Sequence, residues 1–160
     1  MKYPKSKLIL TPAEAYPKLA SYCAYQERTH TEVIQKLASF GIDEEEADEV
    51  IVRLIEENYL NEGRFAISFA SGKFRYKKWG RLKIQAHLQQ KGISKNCIQL
   101  AMQEIDKEEY LQCLKNLAEK KWHELKEGTH LQKKQKLYFY LHQKGYESSL
   151  IQEVTENTAN

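Results

Sequence analysis

The chain has 160 residues, of which 29% are charged and 41% hydrophobic, with seven glycines, three prolines and a formal net charge of +3. This balance excludes a disordered polar tract and points to a soluble, helix-rich, cytoplasmic protein; no run approaches the ~20 apolar residues that a membrane span requires. Three cysteines (Cys23, Cys97, Cys113) lack any CxxC spacing and sit among apolar helical positions, which predicts buried, reduced thiols.

Residues 1–10, with Pro4 and three lysines, read as a flexible arm. The run Leu8-Ile9-Leu10 is too short for a signal peptide. Thr11-Pro12 is the N-cap and first position of a helix that reaches about Gln26, with Pro17 expected to disturb its first turn. Thr29 or Thr31 caps a second helix carrying Val33, Leu37 and Phe40 and ending at Gly41. Asp43 then caps a third, whose acidic first turn suits the helix dipole and which extends to about Asn58. Asn61 caps a fourth helix, GRFAISFASGKFRYKKW. There Phe65, Phe69, Gly72, Tyr76 and Trp79 recur at spacings 4, 3, 4, 3 and read as the core stripe. On that wheel Arg64, Arg75 and Lys78 point away from the core. The next helix opens at Gly80 and stops at Gly92, and Ser94 caps SKNCIQLAMQEI. A long helix follows with Tyr110, Leu114, Leu117, Lys121 and Leu125 on one side, and a last pair flanks Gly145 and ends near Thr155.

The three glycines fix an internal repeat, 51 and 53 residues apart. Eight residues before each stand Val33, Ile84 and Leu137; four before, Leu37, Leu88 and Leu141. One after come Ile42, Ile93 and Tyr146; six after, Ala47, Ile98 and Ile151; nine after, Val50, Ala101 and Val154. Five matched columns at this period mark a repeat architecture. The expected fold is all-α: three tandem three-helix, helix-turn-helix-like repeats in an elongated, curved array. The segments are an arm at 1–10, an acidic repeat at 11–60, a basic repeat at 61–105, a third at 106–156 and a frayed tail at 157–160.

Charge separates the repeats. Residues 1–60 carry 7 Lys/Arg against 11 Asp/Glu, residues 61–105 carry 9 against 2, and residues 106–160 carry 9 against 9. The basic middle predicts an anionic partner. Its candidate binding face is Arg64, Lys73, Arg75, Lys77, Lys78, Arg81 and Lys83, interleaved with aromatics in a composition suited to phosphates and bases. Asp43, Glu44, Glu45, Glu46 and Glu49 form a candidate acidic partner face, although helix capping also explains them. No nucleotide-binding or nucleophile-elbow motif is present. His123-Glu124 begins an HExxH-like pentad whose fifth residue is Glu127, so no enzyme, metal site or cofactor is expected. If the repeats are similar to DNA-reading helix-turn-helix units, the first reading helix, DEEEADEVIVRLIEE, would be repelled by phosphates. Groove reading by all three repeats is excluded on charge.

YLNEGRFA (59–66) and KKWGRLKIQAHLQQKGI (77–93) closely resemble the central signature of the RecX family of bacterial recombination regulators. The resemblance covers nearly the whole chain. It departs at Glu62, where the family usually has Asp, at Gly63, and at Arg28-Thr29-His30-Thr31. It implies a non-enzymatic regulator that binds the RecA–single-stranded DNA filament, in its groove or at its end; the closed row of repeats itself predicts a monomer. Such a regulator limits filament extension, ATP hydrolysis, strand exchange and co-protease activity, and so modulates DNA repair and the SOS response. Weak direct DNA binding could accompany this. The alternative is a stand-alone, non-sequence-specific nucleic-acid-binding protein acting through the basic middle repeat.

Overall fold

Local caps decide where each helix begins. The computed structural model describes residues 7–160, so the arm at 1–6 lies outside the described residues. Among those described are nine helices and no strand: α1 Pro12–Tyr25, α2 His30–Ser39, α3 Glu44–Glu56, α4 Glu62–Lys77, α5 Arg81–Gln90, α6 Lys95–Gln103, α7 Lys107–Glu124, α8 His130–Lys144 and α9 Ser148–Ala159. Thr11, Thr29 and Thr129 each form a reciprocal capping box with Glu14, Glu32 and Gln132. Asp43, Ser94 and Asp106 cap α3, α6 and α7, and Asn61 Oδ1 accepts from the Arg64 amide at 2.8 Å at the start of α4. Pro17 is accommodated inside α1, which runs on uninterrupted to Tyr25. At the other end α9 continues through Ala159, so the frayed tail expected at 157–160 is helical almost to its last residue.

The repeat columns become the core. All fifteen aligned apolar residues are buried, and Gly41, Gly92 and Gly145 all take positive φ, at 77°, 77° and 93°. At Gly41 and Gly145 the chain closes the helix with paired bonds: Ile42 N–H donates to Leu37 and Gly41 N–H to Ala38, while Tyr146 donates to Leu141 and Gly145 to His142. Asn58, at φ 62°, ends α3 in the same way, one position past the helix cap.

The helices gather into two compact units. The first comprises the described residues up to Phe65 together with Lys91–Ile93. Its core is built by α1, α2 and α3, from Leu19, Val33, Leu37, Val50 and Leu54, closed by Leu60. Leu10 packs on this core and donates its amide to the Phe40 carbonyl at 3.0 Å, so the described end of the arm is tied down. Tyr16 of α1 donates its hydroxyl to the Glu57 carboxylate, which also accepts from Arg53 Nε at 2.9 Å.

The second unit comprises 66–90 and 94–160. Here the two later repeats share one core, because Gly80 passes directly against Gly145. Gly80 N–H donates to the Lys144 carbonyl at 2.8 Å, and Leu82 N–H to the Gly145 carbonyl at 3.0 Å. A Cβ on Gly80 would overlap the Gly145 carbonyl and the Tyr146 amide. Around this crossing lies a buried polar cluster. Tyr110 donates to Glu147 Oε2 at 2.5 Å and accepts from the Arg81 amide at 3.0 Å, while Tyr146 donates to the Lys78 carbonyl at 3.0 Å. Burial and the adjacent Glu147 push the Tyr110 hydroxyl well above the usual tyrosine range, so it stays a donor.

Two outcomes test this packing by thermal unfolding. Gly80→Ala should destabilise by about 1–3 kcal/mol, because an inserted methyl forces two backbones apart. Gly72→Ala, at a helical position with open space around it, should instead gain about 0.5–1 kcal/mol. The Tyr16–Glu57 pair gives the first unit a pH signature. The hydrogen bond to Glu57 pushes Tyr16 up from 10.0 to about 12. The Tyr16 hydroxyl, and then Arg53, hold Glu57 below 4.5. Stability from the raised tyrosine is complete below pH 10.0 and is lost as pH climbs towards 12; stability from the lowered carboxylate is complete above 4.5 and is lost as pH falls below it. Tyr16→Phe should flatten the alkaline limb in unfolding followed across pH.

Candidate functional site

Helix α4 buries a narrower seam than its aromatic stripe suggests. Phe65, Ala66, Ala70 and Phe74 are buried, whereas Tyr76 is 87% exposed and Phe69 and Trp79 are half-buried. The expected core stripe is therefore corrected. Two alanines one turn apart admit a close neighbour, and the large rings at 69 and 76 are turned to the flank and to solvent. Helix α4 stops at Lys77; Lys78 takes φ 58° and the Trp79 amide donates back to the Lys73 carbonyl at 3.2 Å. Trp79 then lies outside the helix with His87 4.6 Å from its ring.

The seven expected cations separate by what holds them. Arg64, expected to be free, is engaged within the first unit: its Nε donates to Glu27 at 2.5 Å, and its other nitrogens donate to the Asn58 side chain and carbonyl at 3.0 Å each. Arg81 is engaged within the second, donating to Glu147 Oε1 at 3.3 Å with its guanidinium 3.9 Å above the Tyr110 ring. Lys73 and Lys83 place their ammonium groups 4.9 and 4.6 Å from the Trp79 ring centre, and Lys83 also donates to the Gln143 carbonyl at 3.4 Å.

Arg75, Lys77 and Lys78 are exposed and form no salt bridge among the described residues. Their backbone is fixed all the same. The Lys77 carbonyl accepts from the Lys144 ammonium at 3.3 Å and the Lys78 carbonyl from Tyr146. Arg75 and Lys78 border an open groove of about 730 Å³ whose floor includes Phe74, Cys113 and Leu117 and whose far wall is α7. Lys120 and Lys144 extend this basic surroundings. Sequence spacing missed both, since they come from α7 and α8. The glycine alignment was the available signal, because Lys144 directly precedes Gly145 as Lys91 precedes Gly92.

Of the acidic candidates, Asp43 accepts the Glu46 amide at 2.9 Å as the cap of α3, and Glu44, Glu45, Glu46 and Glu49 are exposed along that helix. Of the cysteines only Cys23 is buried; Cys97 and Cys113 are half-buried, and Cys113 lies 3.4 Å from the Tyr146 hydroxyl. No helix among the described residues is long and apolar enough to cross a membrane.

Comparison with known proteins places this architecture. The chain is 33% identical over 130 residues to the regulatory protein RecX of Lactobacillus johnsonii, covering 81% of this chain and 48% of that protein. It is 31% identical over 136 residues to the regulatory protein RecX of Lactobacillus gasseri, covering 85% and 50%. The chain thus spans about half the length of these relatives. The crystal structure of RecX from Lactobacillus salivarius superposes with a TM-score of 0.84 at 26% identity, over 92% of this chain and 96% of that one. A second crystal structure, of regulatory protein RecX, superposes with a TM-score of 0.81 at 25% identity, over 91% and 73%. Residues 15–54, 61–102 and 108–155 match the first, second and third three-helix domains of RecX in that order. With all three domains present in sequence and the same all-α repeat fold, the chain belongs to the RecX family.

Proposed function

We propose that this chain regulates the RecA recombinase by binding the RecA–single-stranded DNA filament, in its groove or at its end. There it limits filament extension, ATP hydrolysis, strand exchange and co-protease activity, and through these DNA repair and the SOS response. The family supports a regulator; the observation that supports an anionic partner surface is the group Arg75, Lys77 and Lys78, three unpaired cations on a backbone held in place. Lys73 and Lys83 flank this group, whereas Arg64 and Arg81 serve the fold. The acidic residues Asp43, Glu44, Glu45, Glu46 and Glu49 would meet basic protein surface. In this reading the protein works in the cytoplasm, as a binding protein and not an enzyme.

One observation favours the second reading, direct nucleic-acid binding: the exposed ring of Tyr76 stands between Arg75 and Lys77, as a stacking platform would. A salt series separates the two readings. Tight DNA binding by the chain alone at physiological salt, with a steep slope, supports direct action. Weak binding that strengthens only with RecA present supports the filament.

Arg75→Ala, Lys77→Ala and Lys78→Ala combined should leave unfolding within about 0.5 kcal/mol. The same triple variant should weaken inhibition of RecA ATP hydrolysis and lower the salt slope by roughly 2. Arg64→Ala should do the reverse: it strips the half-buried Glu27 of its partner and costs about 1–3 kcal/mol, with inhibition per folded molecule changed less than twofold. Unaltered inhibition by the triple variant would remove this face from the proposal.

A further inference from the structure

Two helices present exposed apolar side chains amid charge of opposite sign. Along α3, Val52 and Ile55 stand three residues apart on one face, 52% and 44% exposed, and Tyr59 follows beyond the end of the helix. Glu45 and Asp48 continue this stripe, and Glu49 and Glu56 border it. Helix α3 holds six acids (Glu44, Glu45, Glu46, Asp48, Glu49, Glu56) against one Arg, a net charge of −5, and that Arg53 is already paired with Glu57. Helix α8 is its electrostatic opposite. It carries Lys133, Lys134, Lys136 and Lys144 and no acid, giving +4. Leu131 and Phe139 are 65% and 64% exposed. Phe139, with Leu125 and Tyr140, lines an open groove of about 670 Å³ between α7 and α8, and Lys121 and Lys136 stand in the same lining.

An isolated exposed apolar residue needs no explanation. Two such surfaces of opposite charge within one chain do. We propose that α3 of one copy docks into the α7–α8 groove of a second copy, so that the chain self-associates head to tail, in place of the monomer expected from the sequence. Val52 and Ile55 supply the apolar stripe, Leu125 and Phe139 the apolar wall, and Asp48 and Glu56 face Lys121 and Lys136. Charge sets the mode of pairing. A two-fold pair through α3 would set −5 against −5, and one through α8 would set +4 against +4, so both symmetric pairings repel. The heterologous pairing attracts. It also leaves one free α3 and one free groove on every pair, so association continues until it closes on itself or meets an end.

The test needs no RecA, and so stands apart from the function proposed above. Sedimentation velocity of the full chain at low salt should show mass rising with concentration, and the rise should shrink with salt as the screening length drops from about 30 Å at 0.01 M to about 10 Å at 0.1 M. Ile55→Lys damages only the stripe and Phe139→Glu only the groove. Both sites are exposed, so each variant should keep its helical signal and unfolding temperature, and each alone should sediment as a single chain. Their mixture should recover association but stop at two chains, because the intact stripe of one meets the intact groove of the other and both remaining faces are broken. As a second pair, Glu56→Lys and Lys136→Glu should each weaken association at least tenfold alone and regain it when mixed. Four results would overturn the proposal: a wild-type chain of single-chain mass throughout; folded variants that associate like wild type; a mixture that fails to pair; or loss of RecA inhibition by Phe139→Glu while the wild type remains a single chain, which would assign the groove to RecA instead.

Discussion

The second unit depends on the approach of two peptide planes at Gly80 and Gly145. A Cβ on Gly80 would overlap the Gly145 carbonyl and one on Gly145 would overlap Lys83, and the two amide-to-carbonyl bonds across the crossing satisfy groups that burial would otherwise strand. The neighbouring polar cluster follows from it. With the chain held here, the Arg81 amide reaches Tyr110 and Tyr146 reaches the Lys78 carbonyl. Glu147 stands at the N-cap of α9 yet makes no side-chain cap, because its carboxylate is engaged by Tyr110 and Arg81. The cations of residues 75–78 therefore extend from a turn whose carbonyls at Lys77 and Lys78 are held by Lys144 and Tyr146.

One repeat unit can serve different surfaces because its constraints lie inside it. The five apolar columns and the C-terminal glycine fix a helix, turn and helix, and leave the outward positions unconstrained. The first repeat spends those positions on acids, the second on cations and glutamines, and the third on a mixture segregated helix by helix. A chain with almost no net charge can in this way present strong fields of both signs.

Periodicity made the repeat columns legible: Val33, Ile84 and Leu137 lie on interior faces that any helical wheel exposes, and short polar side chains ahead of the helical runs announce the caps at Thr11, Asp43, Asn61 and Ser94. What failed was size used as a proxy for burial. The seam of α4 is decided by how closely a neighbour approaches, which favours Ala66 and Ala70 and turns Tyr76 outward. The basic face was partly legible for a related reason. Arg75, Lys77 and Lys78 are as free as a wheel suggests, but Arg64 reaches Glu27, 37 residues away, and Arg81 reaches Glu147, 66 away. Local pattern carries no trace of such partners. Gly80 read as an ordinary helix opener, because only the returning chain at 145 shows why it lacks a side chain.

The contrast between local caps and that distant crossing also bears on how the protein folds. A capping box or a glycine-terminated helix closes over three to five residues, so these turns form early and at little entropic cost. The bond from Gly80 to Lys144 closes a loop of 64 residues, a chain-entropy cost of roughly 4 kcal/mol by logarithmic scaling. The second unit thus combines a swift assembly of helical hairpins with one slow, long-range commitment. Until that commitment is made, the backbone bearing Arg75, Lys77 and Lys78 lacks the two contacts that fix it, so folding itself decides when the basic face acquires its shape.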